Sequence, residues 1–268
     1  MSDSYIALVT GASSGIGEAT ARRLARQPGA RIVLVARRQE RLDQLAGELP
    51  APATVIAADL TDRDAPERVK EHLTRDHDRL HLLVNNAGGA WRGTFAQTGW
   101  ANVDRHMRLN FEAPARLTEA LLPLLRATAA TDHQRVAIVN VASTAGRVSR
   151  PKSGAYSASK FALIGWSDAL YAEELANDVH VGLVLPGFVA TEGFPAKELL
   201  ANPLTRRIVS TPEKVAEAVV DVALNGRAER YVPRPYWLAA AARILAPRLV
   251  RRATAGGAFT TATGSGDD

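Results

Sequence analysis

A tyrosine and a lysine four residues apart, Tyr156 and Lys160, form the stretch of this chain with the clearest chemistry. On a helix, residues at this spacing lie on one face, one turn apart. An ammonium group near a phenol favours the phenolate, and therefore lowers a tyrosine pKa that starts near ~10. A tyrosine tuned in this way can donate a proton near neutral pH. The same spacing is common on solvated helices, so the pair gains meaning only from its surroundings.

Short apolar runs alternate with amphipathic stretches along most of the sequence. Several runs are rich in valine and isoleucine and apolar at successive positions, which is typical of strands covered on both faces. The predicted strands are residues 6–10, 31–36, 54–58, 80–85, 136–142, 179–185 and 230–232, and the predicted helices are residues 16–27, 39–49, 63–77, 100–126, 155–176 and 212–224. This alternation predicts an α/β fold, a doubly wound Rossmann-type parallel sheet of about seven strands with helices on both faces.

The first predicted strand leads directly into a glycine-rich turn, Thr10-Gly-Ala-Ser-Ser-Gly-Ile-Gly17, and then into a helix-forming stretch. Glycines at such a turn let the backbone approach a pyrophosphate, and the helix N-terminus supplies N–H groups and a positive dipole end. The spacing G-x-x-x-G-x-G differs from the commoner G-x-G-x-x-G. A tight turn would also use glycine, but the position after the first strand favours a dinucleotide site.

The end of the second predicted strand indicates which dinucleotide binds. An acidic residue about 20 positions past the glycines would hold a ribose 2′-hydroxyl and favour NAD. Arg37 and Arg38 stand there instead, and a planar guanidinium matches a phosphate. We therefore expect NADP rather than NAD. The alternative is that both arginines are ordinary surface charges at a helix start, where the helix dipole slightly disfavours cations.

Two further segments follow the third and fourth predicted strands, Asp59-Leu60 and Asn85-Asn-Ala-Gly88. Open parallel sheets bind ligands at the carboxyl ends of their strands. Asp59 could accept a hydrogen bond from an adenine amino group. The second segment also has a purely structural interpretation, because asparagine and glycine are both common in turns.

Ser143 ends the fifth predicted strand, at the same sheet edge as the glycine turn. Hydride transfer to a carbonyl carbon leaves negative charge on the oxygen. Ser143 could hydrogen-bond that oxygen while Tyr156 supplies the proton, and Lys160 could also reach the ribose hydroxyls of a cofactor. A strand-end hydroxyl that satisfies local backbone groups is the alternative for Ser143.

Pro114 lies four residues after Asn110, inside a stretch that otherwise predicts one helix. A proline has no N–H, so the carbonyl of Asn110 loses its helical hydrogen-bond donor. We expect a kink here, with the Asn110 carbonyl free to hold another group. A kink that merely shapes packing is the alternative.

Taken together, these motifs resemble the short-chain dehydrogenase/reductase family, and in particular its single-domain members. The elements shared with the family, in its order, are Thr10–Gly17, Asn85–Gly88, Asn110, Ser143, Tyr156–Lys160 and Pro186-Gly187. The resemblance implies a catalytic tetrad of Asn110, Ser143, Tyr156 and Lys160, and a water on the Asn110 carbonyl that links to Lys160. It also implies homodimers or homotetramers that associate through the helices near residues 100–126 and 155–176.

The resemblance also places Thr191 near the nicotinamide amide, with Val189 as a backbone contact. The complete set of predicted cofactor-binding residues is Gly11, Ser13, Ser14, Gly15, Ile16, Gly17, Arg37, Arg38, Asp59, Leu60, Asn86, Ala87, Gly88, Tyr156, Lys160, Pro186, Gly187, Val189 and Thr191.

Composition excludes several classes of site. The 268 residues include no cysteine, which excludes disulfides, thiolate catalysis and cysteine-ligated metals. The six histidines show no helical ligand pair with an acid, so we predict no metal site and expect solvated or capping roles for them. With no apolar run of about 18 residues and no basic leader, we expect neither a membrane-spanning helix nor a signal peptide. A cytoplasmic protein is the expectation.

The net charge of +5 is concentrated near the C-terminus, where residues 226–252 hold seven arginines and one acid. The rest of the chain is about neutral, which disfavours a nucleic-acid binder. Within residues 235–252, apolar positions with flanking arginines predict a partner-binding or membrane-surface helix, broken at Pro247. Packing on its own domain or on a sister subunit is the alternative. We expect one domain over residues 1–253 and a disordered tail over residues 254–268.

The substrate side is less defined. Residues 89–95, 144–154 and 188–210 should open onto the site, the last as a lid. The residues that suggest an apolar pocket are Trp91, Val148, Phe188 and Phe194. Four basic residues could attract an anionic group or could form a solvated rim; they are Arg92, Arg147, Arg150 and Lys152. A small carbonyl or alcohol substrate with an apolar body is expected.

The favoured function is an NADP-dependent oxidoreductase that interconverts a ketone or aldehyde and an alcohol. A ketoacyl reductase of fatty-acid or polyketide type is one alternative. Another is an NADP-binding sensor or scaffold without chemistry, which would tolerate loss of the tyrosine or lysine. Sugar epimerases carry a larger substrate region, for which the chain beyond residue 232 has no room.

Overall fold

The computed structural model describes residues 4–192 and 208–255. The strands are β1 Tyr5–Thr10, β2 Ala30–Ala36, β3 Ala53–Ala57, β4 Leu82–Asn85, β5 Val136–Val141, β6 Val179–Pro186, β7 Phe188–Val189, β8 Val209–Ser210 and β9 Glu229–Val232. The helices are α1 Gly15–Leu24, α2 Gln39–Glu48, α3 Ala65–Asp76, α4 Phe95–Met107, α5 Ala113–Thr131, α6 Gly154–Glu174, α7 Pro212–Asn225, α8 Tyr236–Leu245 and α9 Pro247–Ala255.

Seven of the strands form one parallel sheet in the order β3-β2-β1-β4-β5-β6-β9. The predicted α/β fold with a seven-stranded Rossmann-type sheet is confirmed. The order reverses between β1 and β4, and ligands of such sheets bind in the crevice at this switch point. The glycine turn after β1 and the Asn86 segment after β4 lie on either side of that crevice.

The sheet is buried on both faces because successive side chains of each strand point in opposite directions. In β1, Ala7 and Val9 pack with α1, α2 and α7 on one face, whereas Ile6 and Leu8 pack with α3 and α5 on the other. All six residues of β1 are buried. Burial on both faces of the sheet therefore explains the near-continuous apolar runs of the sequence, as predicted.

The predicted helix over residues 100–126 is divided in the structure. α4 and α5 are joined by a π-helical turn, Arg108–Glu112, and the N–H of Ala113 donates to the carbonyl of Arg108, five residues back. Pro114 follows directly and begins the first turn of α5. The expected disturbance at Pro114 thus takes the form of a widened turn, and the buried Asn110 lies inside it.

At the C-terminus, the predicted break at Pro247 is confirmed, since α8 ends at Leu245 and α9 begins at Pro247. The predicted disorder from residue 254 is wrong for its first two residues, which complete α9. The rest of the predicted tail, and residues 193–207 of the predicted lid with Phe194, lie outside the described residues. Among the helices that the structure describes, none combines the length and the apolar character needed to cross a membrane.

Candidate active site

The glycine turn brings α1 unusually close to β1. A Cβ on Gly17 would lie 2.2 Å from the carbonyl oxygen of Gly11, and Gly11 itself has a positive φ of 66°. The Asn86 side chain donates to the carbonyl of Thr10 at 2.9 Å, and its backbone N–H donates to the Thr10 hydroxyl at 2.9 Å. The turn and the segment after β4 therefore hold each other in place, with the N-terminus of α1 facing the crevice.

Two arginines follow β2 beside this turn, as expected. Arg38 donates from Nη2 to the hydroxyls of Ser13 and Ser14, at 3.1 and 2.9 Å. Arg37 is largely exposed and lies 3.8 Å from the carboxylate of Asp59. The structure thus places the Arg38 guanidinium over two hydroxyls near the end of β2, with Arg37 next to it in the sequence, and such donors suit a phosphate.

Asp59 is held as a carboxylate at the end of β3. Partial burial raises its pKa, but hydrogen bonds from Thr61 and the nearby Arg37 outweigh that effect, so the net pKa is lowered. The Thr61 N–H and hydroxyl donate to the same carboxylate oxygen at 2.9 and 2.7 Å. Leu60, the next residue, is buried.

The segment after β6 extends back to the glycine turn. A Cβ on Gly15 would lie 3.3 Å from Cγ2 of Thr191, which places Thr191 against the glycine turn. Gly187 donates its N–H to the carbonyl of Val232 at 2.8 Å. Its missing side chain makes room for Tyr236, whose ring would lie 2.4 Å from a Cβ at this position. Val189 is buried and pairs with β8.

Ser143, Tyr156 and Lys160 converge at the ends of β5 and α6. The Ser143 hydroxyl is close enough to Tyr156 to lower its pKa, and it donates to the carbonyl of Pro186 at 3.3 Å. Lys160 is buried, and its ammonium donates to the carbonyl of Val141 at 2.9 Å. The Lys160 nitrogen lies 5.9 Å from the centre of the Tyr156 ring. A hydroxyl, a phenol and an ammonium thus share one small volume.

Asn110 joins this group from the π-helical turn. Its side-chain amide donates to the carbonyl of Gly89 and to the hydroxyl of Ser159, at 3.0 and 3.1 Å, and its Oδ1 accepts from the Gly89 N–H at 2.9 Å. A Cβ on Gly88 would lie 3.0 Å from that Oδ1 and 3.7 Å from the Lys160 nitrogen. The structure therefore brings the four predicted catalytic residues to one place.

Burial dominates the electrostatics of the pair in α6. It lowers the pKa of Lys160 from 10.5 to about 8. It also raises the pKa of Tyr156, against the hydrogen bond from Ser143 and the charges of Arg150 and Arg92, which lower it. The cations that act on Tyr156 here are these two arginines, and a direct effect of Lys160 on that pKa stays a prediction.

Arg150 belongs to the site rather than to a solvated rim. It is half-buried, and its guanidinium carbon lies 4.6 Å from the centre of the Phe188 ring. Stacking on an aromatic face is a favourable position for arginine. Arg150 also lines a cavity of about 360 Å³ with Gly93, Val103, Lys152 and Ala155. Arg147, in contrast, forms an ion pair with Glu229.

The sequence interpretation missed His106. The expectation of a solvated histidine is wrong for His106 and His81, which are both fully buried and hydrogen-bond backbone groups. The Nε2 of His106 accepts the Trp91 N–H at 3.0 Å, and its Nδ1 lies 2.7 Å from the carbonyl of Asn102. This pattern fits the neutral ring with the proton on Nδ1, and burial lowers its pKa in the same sense.

His106 also packs near Tyr156, since the centres of the two rings are 6.0 Å apart. It therefore fixes the backbone of the segment that contains Trp91 at the mouth of the site. One signal could have found it, because His106 precedes Asn110 by four residues and so lies on the same helix face.

The comparisons with known proteins agree with this geometry. A family model described as short chain dehydrogenase matches residues 5–199. The chain belongs to the short-chain dehydrogenase/reductase family. This membership makes it an oxidoreductase of that family.

Three proteins illustrate the similarity. Nodulation protein G of Rhizobium sp. (strain N33) is 36% identical over 225 residues, which cover 82% of this chain and 89% of that protein. A metagenomic short-chain oxidoreductase in complex with NADP is 32% identical, with a TM-score of 0.72, over 86% of this chain and 98% of that one. The 3-ketoacyl-(acyl-carrier-protein) reductase from Brucella melitensis, complexed with NADH, is 28% identical, with a TM-score of 0.75, over 85% and 96%. Solved relatives therefore bind NADP or NAD(H).

Proposed function

We propose that this oxidoreductase interconverts a ketone or aldehyde and the corresponding alcohol, with Tyr156 as the proton donor. The observation that carries the proposal is the convergence of Ser143, Tyr156 and the buried ammonium of Lys160, which donates to the Val141 carbonyl and lies 5.9 Å from the centre of the Tyr156 ring. The glycine cradle, which a Cβ on Gly17 would fill, fits a dinucleotide. When bound, the nicotinamide cofactor supplies or accepts the hydride.

The residues of the chain have separate roles in the reduction. The Ser143 hydroxyl binds the carbonyl oxygen and orients it toward Tyr156. As negative charge develops on that oxygen, the Tyr156 hydroxyl gives up its proton to it and becomes tyrosinate. Lys160 holds positive charge nearby and stabilises the tyrosinate. In the reverse reaction the tyrosinate removes the proton from the alcohol.

The Asn110 carbonyl is the proposed start of the path that returns a proton to the tyrosinate. It accepts no helical hydrogen bond from Pro114, which has no N–H. Lys160 and the Asn110 side chain both lie beside Gly88. We propose that a water on this carbonyl links it to Lys160.

The proposed cofactor is NADP(H), because Arg37 and Arg38 stand where an acidic residue would select NAD. The fork of Arg38 over the hydroxyls of Ser13 and Ser14 supports this choice. Titration of the protein with NADPH and with NADH tests it. Tighter binding of NADH would overturn the proposed preference but not the proposed reaction.

The test of the reaction follows NADPH oxidation with a panel of ketones and aldehydes. Tyr156→Phe removes the proton donor and should abolish turnover while NADPH still binds. Tyr171→Phe is the matched control, since Tyr171 lies on the same helix and is 38% exposed. Equal turnover in wild type and Tyr156→Phe would refute the mechanism. If no substrate in the panel is reduced although NADPH binds, a sensor or scaffold becomes the better interpretation.

A second candidate, ketoacyl reduction, is favoured by the similarity to a 3-ketoacyl-(acyl-carrier-protein) reductase over most of the chain. A 3-ketoacyl thioester therefore belongs in the substrate panel. Much faster turnover of the thioester than of simple ketones would select this function.

We also infer a homodimer or homotetramer with α6 in the contact. Among the described residues, α6 and the turn after it expose Phe161, Tyr171 and Leu175 by 45, 38 and 58%. Exposed apolar side chains on one element are typical of a subunit contact. Light scattering on the purified protein measures the assembly, and a monomer at micromolar concentration would contradict it.

A further inference from the structure

The last two helices expose an unusual amount of apolar surface. Among the described residues, ten large hydrophobic side chains are exposed, and five of them belong to α8 and α9. Their exposed fractions are 54% for Trp237, 56% for Leu238, 78% for Ile244, 84% for Leu245 and 69% for Leu249. Packing against its own domain, one alternative left open by the sequence, therefore does not cover this surface.

The exposed side chains of α8 share one face. Trp237, Ala241 and Ile244 are spaced as i, i+4 and i+7, and Leu238 and Leu245 lie next to them on the helix surface. The helix is anchored elsewhere, through Ala240, which is 8% exposed, and through Tyr236 against Gly187. One side of α8 thus attaches the helix to the protein, and the adjacent apolar side points into solvent.

α9 carries its basic and its apolar residues on different faces of the helix. Arg248, Arg251 and Arg252 are spaced by three and four residues and share one face, whereas Leu249 and Ala253 share the opposite face. A short helix with arginines on its polar side and leucine on the other is typical of segments that lie in a membrane interface.

The charge of this surface has one sign. Residues 230–255 contain six arginines and no acidic residue. Arg230 forms an ion pair with Asp221. Within residues 4–192 and 208–255, none of the other five arginines, the first of which is Arg234, forms an ion pair.

This charge decides between possible occupants of the surface. In a two-fold symmetric dimer the same patch of both copies would meet, and the arginines would face arginines without acidic partners. The occupant must instead carry negative charge and accept apolar side chains from a pair of helices. An anionic lipid surface has both properties, since its headgroups attract arginine and its acyl boundary accepts tryptophan and leucine.

We propose that α8 and α9 dock the protein peripherally on anionic lipid bilayers, with Trp237, Leu238, Ile244, Leu245 and Leu249 in the interface and the arginines among the headgroups. The docking concerns a surface apart from the catalytic residues, and it stands or falls independently of the proposed reaction. Near an anionic surface each arginine raises the binding constant roughly fivefold.

The test is flotation of the full-length protein with vesicles of phosphatidylcholine alone and of phosphatidylcholine mixed with phosphatidylglycerol. We expect binding to the anionic vesicles only, and release at high salt because the headgroup attraction is screened. Arg251→Gln with Arg252→Gln should weaken binding roughly 25-fold, as expected for two arginines. Ile244→Ser with Leu245→Ser should abolish flotation, and both side chains are exposed enough for the fold to tolerate the change.

Arg26→Gln with Arg75→Gln is the matched control, because it removes the same charge at two exposed arginines that lie outside the helix pair. It should float like the wild type. Circular dichroism and NADPH binding of each variant confirm that it is folded. Equal flotation with both vesicle types, or flotation that survives both double substitutions, would refute the proposal. An absence of flotation would also refute it. If the protein does not float and the serine variant lowers the oligomeric state, the surface is a subunit contact. If it binds only an acidic protein, the surface is a protein-binding site.

Discussion

The buried Lys160 should cost the protein stability at neutral pH, and replacing it should recover part of that cost. Burial lowers the pKa of Lys160 from 10.5 to about 8. At about 1.4 kcal/mol per pKa unit, keeping the ammonium in this site costs about 3 kcal/mol. Loss of the hydrogen bond to the Val141 carbonyl, worth about 1.5–3 kcal/mol for a charged donor, offsets part of the gain. We expect Lys160→Met to raise the free energy of unfolding by about 1 kcal/mol at pH 7.

The pH dependence separates this explanation from a general packing effect. Below pH 8 the lysine is protonated in both the folded and the unfolded chain, so the full cost is present. Between about pH 8 and 10.5 the folded chain has released a proton that the unfolded chain still binds, so wild-type stability rises with pH relative to the variant. The advantage of Lys160→Met should therefore shrink and reverse as the pH rises toward 10.

Urea unfolding at pH 7 and at pH 10, without added cofactor, measures both effects. Lys152→Met is the control, because Lys152 is exposed and should change neither value. The variant should also lose turnover, so that stability and activity move in opposite directions. A Lys160→Met protein that is less stable at pH 7, with a deficit independent of pH, would refute the reasoning.

Three further predictions concern the proposed cofactor site and the proposed proton donor. Gly17→Ala should lower the free energy of unfolding by about 1–3 kcal/mol, because the new Cβ meets the Gly11 carbonyl. The control Gly47→Ala, on an open helix face, should raise it by up to about 1 kcal/mol. Equal melting temperatures of the two variants would contradict this. Arg38→Ala should weaken NADPH about 10–100-fold and leave NADH nearly unchanged in titrations, and equal losses for both would argue against a phosphate contact. Arg150→Met should move the pH at which alcohol oxidation is half-maximal upward, since the Arg150 charge lowers the pKa of Tyr156, and an unchanged profile would exclude that role.

The parts of the site that depend on local sequence rules were predictable. The glycine spacing predicts the close approach of α1 to β1. The missing N–H of Pro114 predicts the disturbed helical turn at Asn110. Both features involve residues only a few positions apart. The same holds for the sheet, because a strand that is buried on both faces has a local signature.

The features that depend on distant contacts were not predictable. Whether Arg150 is a rim residue or part of the site depends on Phe188, 38 positions away, on which its guanidinium stacks. The burial of His106 depends on how the segment of Trp91 folds over α4. Neither contact leaves a pattern in the neighbouring sequence. The role of Arg150 was therefore left open, and the expectation that His106 is solvated was wrong.

The packing of the Tyr236 ring on Gly187 determines when, during synthesis of the chain, this part of the site can take its final structure. The loop after β6 that contains Gly187 is supported by the Val232 carbonyl and by the Tyr236 ring, both from the C-terminal part of the chain. The glycine turn and the catalytic residues are synthesised much earlier. A nascent chain can therefore form most of the sheet and the glycine turn before Tyr236 packs on Gly187. The loop gains its final support only when the last strand and α8 have left the ribosome.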